Sequence, residues 1–353
     1  MNYRENYLRN ARMQGPEFIP STVVISGASW AEHKQDMLEV VRRHPSIFRR
    51  YYQSMEIDFD RMTASPGQGE EKSFTDAWGC VWRFPVEGLE GIVAGHPLAD
   101  WAAMESYRAP DPVVEADRGP ANWAAVEEQV RQARTCGALA YGATPHGFLF
   151  DRLTYLRGFE NMMLDMAGNA PQLPRLVDIL LEHNRALVAK WLSLELDVLE
   201  FADDLGTQQR SFISPAMMHR WLTPVYHALM TPCREASTLV VFHSDGYILN
   251  LIDEFIAAGV DIINPQDLVN GIDNLAREVK GRMCIRLDID RQKIVPYGTC
   301  AEIRELIQEE VRVLGDPRGG LEFIAGIYPP TTPDRVDALT CALEEFSTYW
   351  WRG

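Results

Sequence analysis

The sequence predicts an α/β protein: a (β/α)8 TIM barrel with an N-terminal extension and an insertion in the first third, forming one domain over residues 1–353. Three observations carry this reading. Four strand–helix units follow one another from Leu239 to Phe346. Each is a short apolar run that ends in a polar turn and leads into apolar residues at helical spacing. The 353 residues also suit such a barrel with added segments. Strands that alternate with helices run parallel, with the helices as crossovers. Four units in succession favour a closed barrel over an open sheet.

In chain order, Thr22–Ser26 reads as the first strand. Between Ser29 and Gln129 the pattern weakens: Phe74–Phe84 looks like a hairpin, and Gly95–Val126 like an irregular insertion. Gly137–Tyr141 and Val198–Ala202 are candidate strands, and Ser214-Pro215 opens a helix. Leu239–Phe242 is a strand that ends in the turn His243-Ser-Asp-Gly246, with a helix on Ile248, Leu251, Ile252, Phe255 and Ile256 closed by Gly259. Asp261–Ile263 is a strand ending in Asn264-Pro265-Gln266, followed by a helix to about Lys280. Cys284–Leu287 ends at Asp288, and the next helix opens at Thr299 with Glu302 as a capping box. Leu321–Ala325 is the last strand, before Gly326-Ile-Tyr328 and a helix capped at Thr332-Pro333.

A formal charge of -16 and a pI near 5.0 exclude nucleic acid and anionic membrane as partners, since either needs a concentrated basic face. No window reaches about 18 uninterrupted apolar residues, and Met1–Gly15 has no apolar signal core, so a cytoplasmic protein is expected. Six scattered cysteines without a CxxC pair read as reduced thiols, mostly buried. Nine tryptophans, two of them in the terminal Tyr-Trp-Trp351, suggest an interface and a homodimer.

In parallel barrels the reacting groups sit at the carboxyl ends of the strands. That rule collects Asp203 and Asp204, His243 and Asp245, Asn264 and Gln266, Arg286 and Asp288, and Tyr328, with His146 and Asp151 more distant. Each also has a plain structural reading. Asp203-Asp204 could cap a turn, Asn264 and Gln266 could satisfy backbone groups, and Tyr328 could simply pack. His243 differs because Asp245 stands two residues on in the same turn, so both side chains can enter one mouth. Arg286 alternates with apolar neighbours, and a buried guanidinium demands a carboxylate or an anionic ligand.

Val240-Val-Phe-His-Ser-Asp-Gly246 and Ala258-Gly-Val-Asp-Ile-Ile-Asn-Pro265 resemble the uroporphyrinogen decarboxylase superfamily. Asp76-Ala-Trp-Gly-Cys80, Gly95-His-Pro-Leu98, Asp203-Asp-Leu-Gly-Thr-Gln208 and Gly326-Ile-Tyr-Pro-Pro-Thr-Thr-Pro333 resemble its branch of corrinoid-dependent methyltransferases. The resemblance implies a (β/α)8 barrel. The decarboxylases of that group resemble one another in an Arg-Gln-Ala-Gly-Arg segment that grips substrate carboxylates. Here Ile19-Pro20 is followed by Ser-Thr-Val-Val-Ile-Ser-Gly-Ala, without arginine. The thiol-methylating members bind zinc through His-x-Cys and a distant Cys before Gly-Ile. This chain keeps His243 but carries Asp245 and Ala325 at the cysteine positions.

The leading expectation is therefore a methyltransferase that moves a methyl group between a small methylated substrate, of methoxy-aromatic, methylamine or methanol type, and a corrinoid carried by a separate protein. His243, Asp245, Asp203 and Asp204 are its catalytic candidates; His243 and Asp245 would hold zinc or another divalent metal, or act as a proton-transfer pair with no cofactor. Arg286, Gln266, Asn264, Asp288, Tyr328, His146 and Gln208 are its substrate-binding candidates. Two rivals are a cofactor-independent decarboxylase using Arg286 as its clamp, and a non-catalytic binding protein.

Overall fold

The computed structural model describes residues 1–49, 73–84 and 91–351; part of the weakly patterned stretch from Ser29 to Gln129 lies outside them. Its strands are β1 (Ser21–Ile25), β2 (Ser73–Thr75), β3 (Val81–Arg83), β4 (Ile92–Gly95), β5 (Glu115–Ala116) and β6 (Gly119–Pro120). Then come β7 (Tyr141–Ala143), β8 (Val198–Ala202), β9 (Leu239–Ser244), β10 (Ile262–Pro265), β11 (Cys284–Asp288) and β12 (Leu321–Ile327). The fold is mixed α/β, with seven strands of the parallel class among the described residues and helices between them.

The chain forms two compact units. One comprises Met1–Lys72, Phe84–Gly91 and Pro265–Gly353; the other comprises Ser73–Arg83 and Ile92–Asn264. In the first unit β12 lies between β1 and β11, parallel to both, with Phe323 opposite Ser21 and Leu287. The helix Cys300–Leu314 begins with the expected capping box of Thr299 and Glu302. It turns Ile303, Ile307, Val311 and Leu314 inward, while Pro333–Phe346 buries Val336, Leu339, Leu343 and Phe346. The terminal tryptophans fold back onto this unit. Trp350 donates its indole N–H to the Val311 carbonyl and Trp351 to that of Pro317. The helix expected after Gln266 is two short ones, Asp267–Asn270 and Ile272–Glu278. Gly271 between them has φ +80 and breaks the turn.

Three of the buried acidic groups of this unit, Asp267, Asp290 and Glu310, act on one another. Burial raises the Asp267 carboxyl to about 6, despite backbone amides donated by Leu268 and Asp290. Burial, and then the Asp267 charge, pushes Glu310 well above the usual carboxylate range. A carboxyl whose pKa is raised on folding contributes stability below its unfolded value near 3.8, and that stability is lost as pH rises through about 6. The interval corresponds to on the order of 3 kcal/mol. Denaturant titrations from pH 4 to 7 should therefore show this decline in the wild type and a flatter profile in Asp267→Asn. An unchanged slope in the variant would assign it to other groups.

In the second unit the strand order is β10-β9-β8-β7, and β7, β8 and β9 pair in parallel. Phe148, Phe201, Tyr226, Phe242 and Phe255 pack beneath, with Tyr226 and Phe242 at 5.1 Å and Phe242 and Phe255 at 4.7 Å between ring centroids. The expected hairpin is present as β2–β3, extended by β4 into a three-stranded antiparallel sheet. The strand expected at Gly137–Tyr141 begins only at Tyr141. Residues 136–138 instead close the preceding helix, with Gly137 at φ +69 and the Ala138 N–H donating to the Ala133 carbonyl. All six cysteines are free; Cys80, Cys233 and Cys284 are buried and the other three exposed, fewer buried than expected.

Candidate active site

The carboxyl ends of β7, β8 and β9 meet in the second unit and are stitched together by hydrogen bonds. Gly147 N–H donates to the Ala202 carbonyl at 2.8 Å, Asp203 N–H to the His243 carbonyl at 3.2 Å and Tyr247 N–H to the Thr207 carbonyl at 2.8 Å. The turns after β8 and β9 touch backbone to backbone. A Cβ on Gly246, whose φ is +81, would stand 2.2 Å from the carbonyl of Gly206. A Cβ on Gly206 would stand 2.5 Å from the Tyr247 nitrogen. Two glycines thus set how closely Asp204 approaches His243 and Asp245.

β9 runs two residues further than expected, so His243 belongs to the strand end rather than to the turn. Its Nδ1 donates to Asn264 Oδ1 at 2.8 Å, fixing the ring. Nε2 then faces two carboxylates, 3.4 Å from Asp245 Oδ1 and 3.9 Å from Asp204 Oδ1. His146, from the loop after β7, brings its Nε2 to 3.6 Å from the same Asp204 oxygen. The two imidazoles lie 5.8 Å apart. Asp204 Oδ1 also accepts the Asp245 backbone N–H at 2.9 Å.

These separations decide what the cluster suits. Contacts of 3.6 and 3.9 Å are too long for hydrogen bonds. An ion about 2.0–2.1 Å from each donor in a tetrahedron sets neighbouring donors roughly 3.4 Å apart. One ligand atom from each of His146, Asp204 and His243 lies within 4.8 Å of the others, as metal donors do. The His243 Nδ1–H held by Asn264 is the outer contact that such a ligand takes. The donor set therefore fits a divalent ion, with His146 and Asp204 joining His243 and with Asp245 flanking it.

The charges agree with this geometry. Burial raises Asp204, but the close approach and charge of His146, the His243 charge and the Asp245 N–H bring it down to about 2. Burial lowers His146, yet the close approach and charge of Asp204, followed by Asp151 and Asp203, carry it to about 9. Without a cation the cluster holds a proton that a metal would displace.

Asp203, expected beside Asp204, turns the other way. Fully buried, it accepts the N–H groups of Leu149, Phe150 and Asp151 and the Tyr226 hydroxyl. It caps the helix Phe150–Arg157, whose own N-cap Leu149 supplies no side-chain bond. Burial raises its carboxyl to about 6 against those four donors. Asp151 is held in turn by the Asp204 N–H at 2.9 Å. Asp203 and Asp151 position the loop that carries His146. Tyr226 had no signal in the sequence, since its helix reads as ordinary core.

Asn264 is buried as His243's partner, and Gln208 lies exposed in the turn after β8. The remaining candidates belong to the first unit. Arg286 Nε is 3.9 Å from Glu322 Oε1, which accepts the Tyr7 hydroxyl. The carboxylate partner demanded of its guanidinium is thus present. Asp288 pairs with Arg291 at 3.3 Å, and that guanidinium lies 5.8 Å over the Tyr328 ring. Gln266 is buried, with its carbonyl accepting from Asn270.

The fold resembles that of a methyltransferase. The solved structure, from Methanosarcina mazei, matches with a TM-score of 0.66 at 15% identity, over 97% of this chain and 98% of that one. A B12-independent methionine synthase from Shewanella in complex with selenomethionine matches with a TM-score of 0.40 at 11% identity, over 62% and 65% of the two chains. No protein-family model matches the chain. No curated protein matches it either. The first likeness bears out the parallel α/β barrel class over nearly the whole chain. No helix among the described residues is long and apolar enough to cross a membrane.

Proposed function

We propose that this chain is a methyl-transferring enzyme whose reactive centre is the cluster of His146, Asp204, His243 and Asp245. The observation that carries the reading is the convergence of two imidazoles and two carboxylates from three strand ends at metal-donor separations. The fold shared with a methyltransferase, and the motifs resembling the corrinoid-dependent branch, support methyl transfer as the chemistry.

His146, Asp204 and His243 would hold a divalent ion, zinc being favoured by a nitrogen-rich set of low coordination. Such an ion would supply Lewis acidity toward the heteroatom that carries the methyl group. Asp204 stays ionised and draws both imidazoles toward one point. Asn264 fixes the His243 ring, and Asp203 with Asp151 fixes the loop of His146. The methyl acceptor is proposed to be a corrinoid on a separate protein. The rival decarboxylase reading uses Arg286 as a clamp, but that guanidinium already has Glu322 beside it.

The test supplies free cob(I)alamin to the purified protein with methoxybenzenes, methylamines or methanol, and follows methylcobalamin by its absorbance. One donor class is expected to react faster with the protein than without it. Carbon dioxide released from a carboxylic acid, with no methylcobalamin from any donor, would replace this reading with the decarboxylase.

A further inference from the structure

Outside that cluster, the second unit holds a cavity of about 310 Å3 walled by Trp78, Trp123, Trp191, His183 and two carboxylates, Glu115 and Asp117. It lies against the end of β7, and none of His146, Asp204 and His243 lines it. Trp123 and Trp191 meet edge to face, 5.1 Å apart and inclined by 74°, so their rings form a corner. His183 lies 4.3 Å from Trp78. The size falls at the lower end for small-molecule sites.

The wall offers rings and acceptors but few donors. The Trp78 indole N–H is taken by Asp117 at 2.9 Å and the Thr144 hydroxyl by the Glu200 carbonyl at 3.2 Å. The Trp123 Nε1–H is buried and does not open onto the cavity. His183 Nδ1 lies 3.0 Å from the Pro110 carbonyl, which only accepts, so that nitrogen carries a proton. Burial lowers the His183 pKa, so the ring is neutral and Nε2 is an acceptor. A ligand that must receive hydrogen bonds, such as a carboxylate or a phosphate, finds little here.

The charges favour a cation. No lysine or arginine belongs to the wall. Arg152 lies 4.8 Å over the Trp78 ring, but it is paired with Asp76 at 3.1 Å and Asp117 at 2.8 Å. Lys190 lies 5.3 Å over the Trp123 ring and is paired with Glu127 at 2.7 Å. Glu115 is exposed and forms no ion pair among the described residues. These four carboxylates stand against two cations, and a cleft with that excess gathers positive ligands. Aromatic walls add their own attraction for a cation. A primary ammonium carries three N–H donors to be satisfied, whereas the wall leaves two acceptors open, Glu115 and His183 Nε2. A nitrogen clothed in methyl groups asks for none and suits the rings.

We propose that this cavity binds an organic ammonium ion whose nitrogen carries methyl groups, with the tryptophan rings around the methyl shell and the Glu115 carboxylate as its counter-charge. The inference does not rest on the methyl-transfer reading, because the cavity shares none of that cluster's residues and binding is measured without turnover.

Calorimetric titration of the full chain with choline tests it, with dimethylbutanol, in which carbon replaces the charged nitrogen, as the neutral probe of the same shape. Choline should bind at one site per chain, and the alcohol about 2–30-fold more weakly, the worth of a cation on aromatic rings. Trp191→Leu, which keeps an apolar side chain but loses the ring, should weaken choline by about 2–30-fold for the same reason. Glu115→Gln, an exposed change that leaves the packing intact, should weaken choline about 1.5–5-fold, the worth of one exposed ion pair, and leave the alcohol unchanged. His243→Ala should leave both affinities unchanged. Absence of choline binding, equal affinity for the alcohol, or unchanged choline affinity in either variant of the wall overturns the proposal. Loss of choline binding in His243→Ala overturns it too, by placing the cation at the strand-end cluster.

Discussion

His243→Ala should lower the rate of methyl transfer to cob(I)alamin by roughly 10²–10⁴-fold, the range for losing a proton-transfer group or more if a metal goes with it. Stability should fall by no more than about 2 kcal/mol. The two effects separate because of where the side chain sits. Its backbone lies in β9 and stays paired, while the ring leaves the core to meet Asn264, Asp204 and Asp245. Removing it deletes the hydrogen bond to Asn264 and a donor of the cluster but little apolar packing. Steady-state rates and a denaturant titration on the same preparation measure both quantities. Full activity in His243→Ala would move the reactive centre elsewhere; a protein that does not fold would make the histidine structural.

Gly246→Ala should have the opposite profile, costing roughly 2–5 kcal/mol. A left-handed φ of +81 costs an L-residue about 1–2 kcal/mol. The new Cβ, 2.2 Å from the Gly206 carbonyl, adds an overpacking cost of about 1–3 kcal/mol. Gly281→Ala is the control. Its φ is +79 but nothing lies within 4 Å of the added Cβ, so it carries the backbone cost alone. The excess of Gly246→Ala over Gly281→Ala in denaturant titrations isolates the contact between the two turns. Equal costs would mean that the turns part freely and do not set the distance from Asp204 to His243.

The parallel strands were legible because each is an apolar run that a polar turn stops, and the capping box at Thr299 marked its helix outright. Gly137–Ala140 misled for the same reason: an apolar run also forms when a helix is closed by a left-handed glycine. His243 and Asp245 were legible as a pair because they stand two apart at one strand end. Asp203 and Asp204 were read together, although successive side chains on an extended chain point to opposite sides. One caps a buried helix and the other joins the cluster. His146 was placed at a distance because its loop comes far earlier in the chain. Its signal, a polar turn after the Tyr141 strand, matched that of His243. Arg286 signals a need for a carboxylate or an anionic ligand; Glu322, 3.9 Å away, lies on a strand whose polar residue carries no distinguishing mark.

His146, Asp204 and His243 are proposed to hold a divalent ion together. The most direct measurement is a titration of the metal-stripped protein with Zn2+ and with Co2+, the latter followed by its visible absorption, on the wild type, His243→Ala and Asp204→Asn. The account predicts one ion per chain in the wild type, a tetrahedral cobalt spectrum with nitrogen and oxygen donors, and loss of site-specific binding in both variants. Unchanged stoichiometry and spectrum in His243→Ala and Asp204→Asn, or a wild type that binds no ion while it still transfers methyl groups, would contradict it.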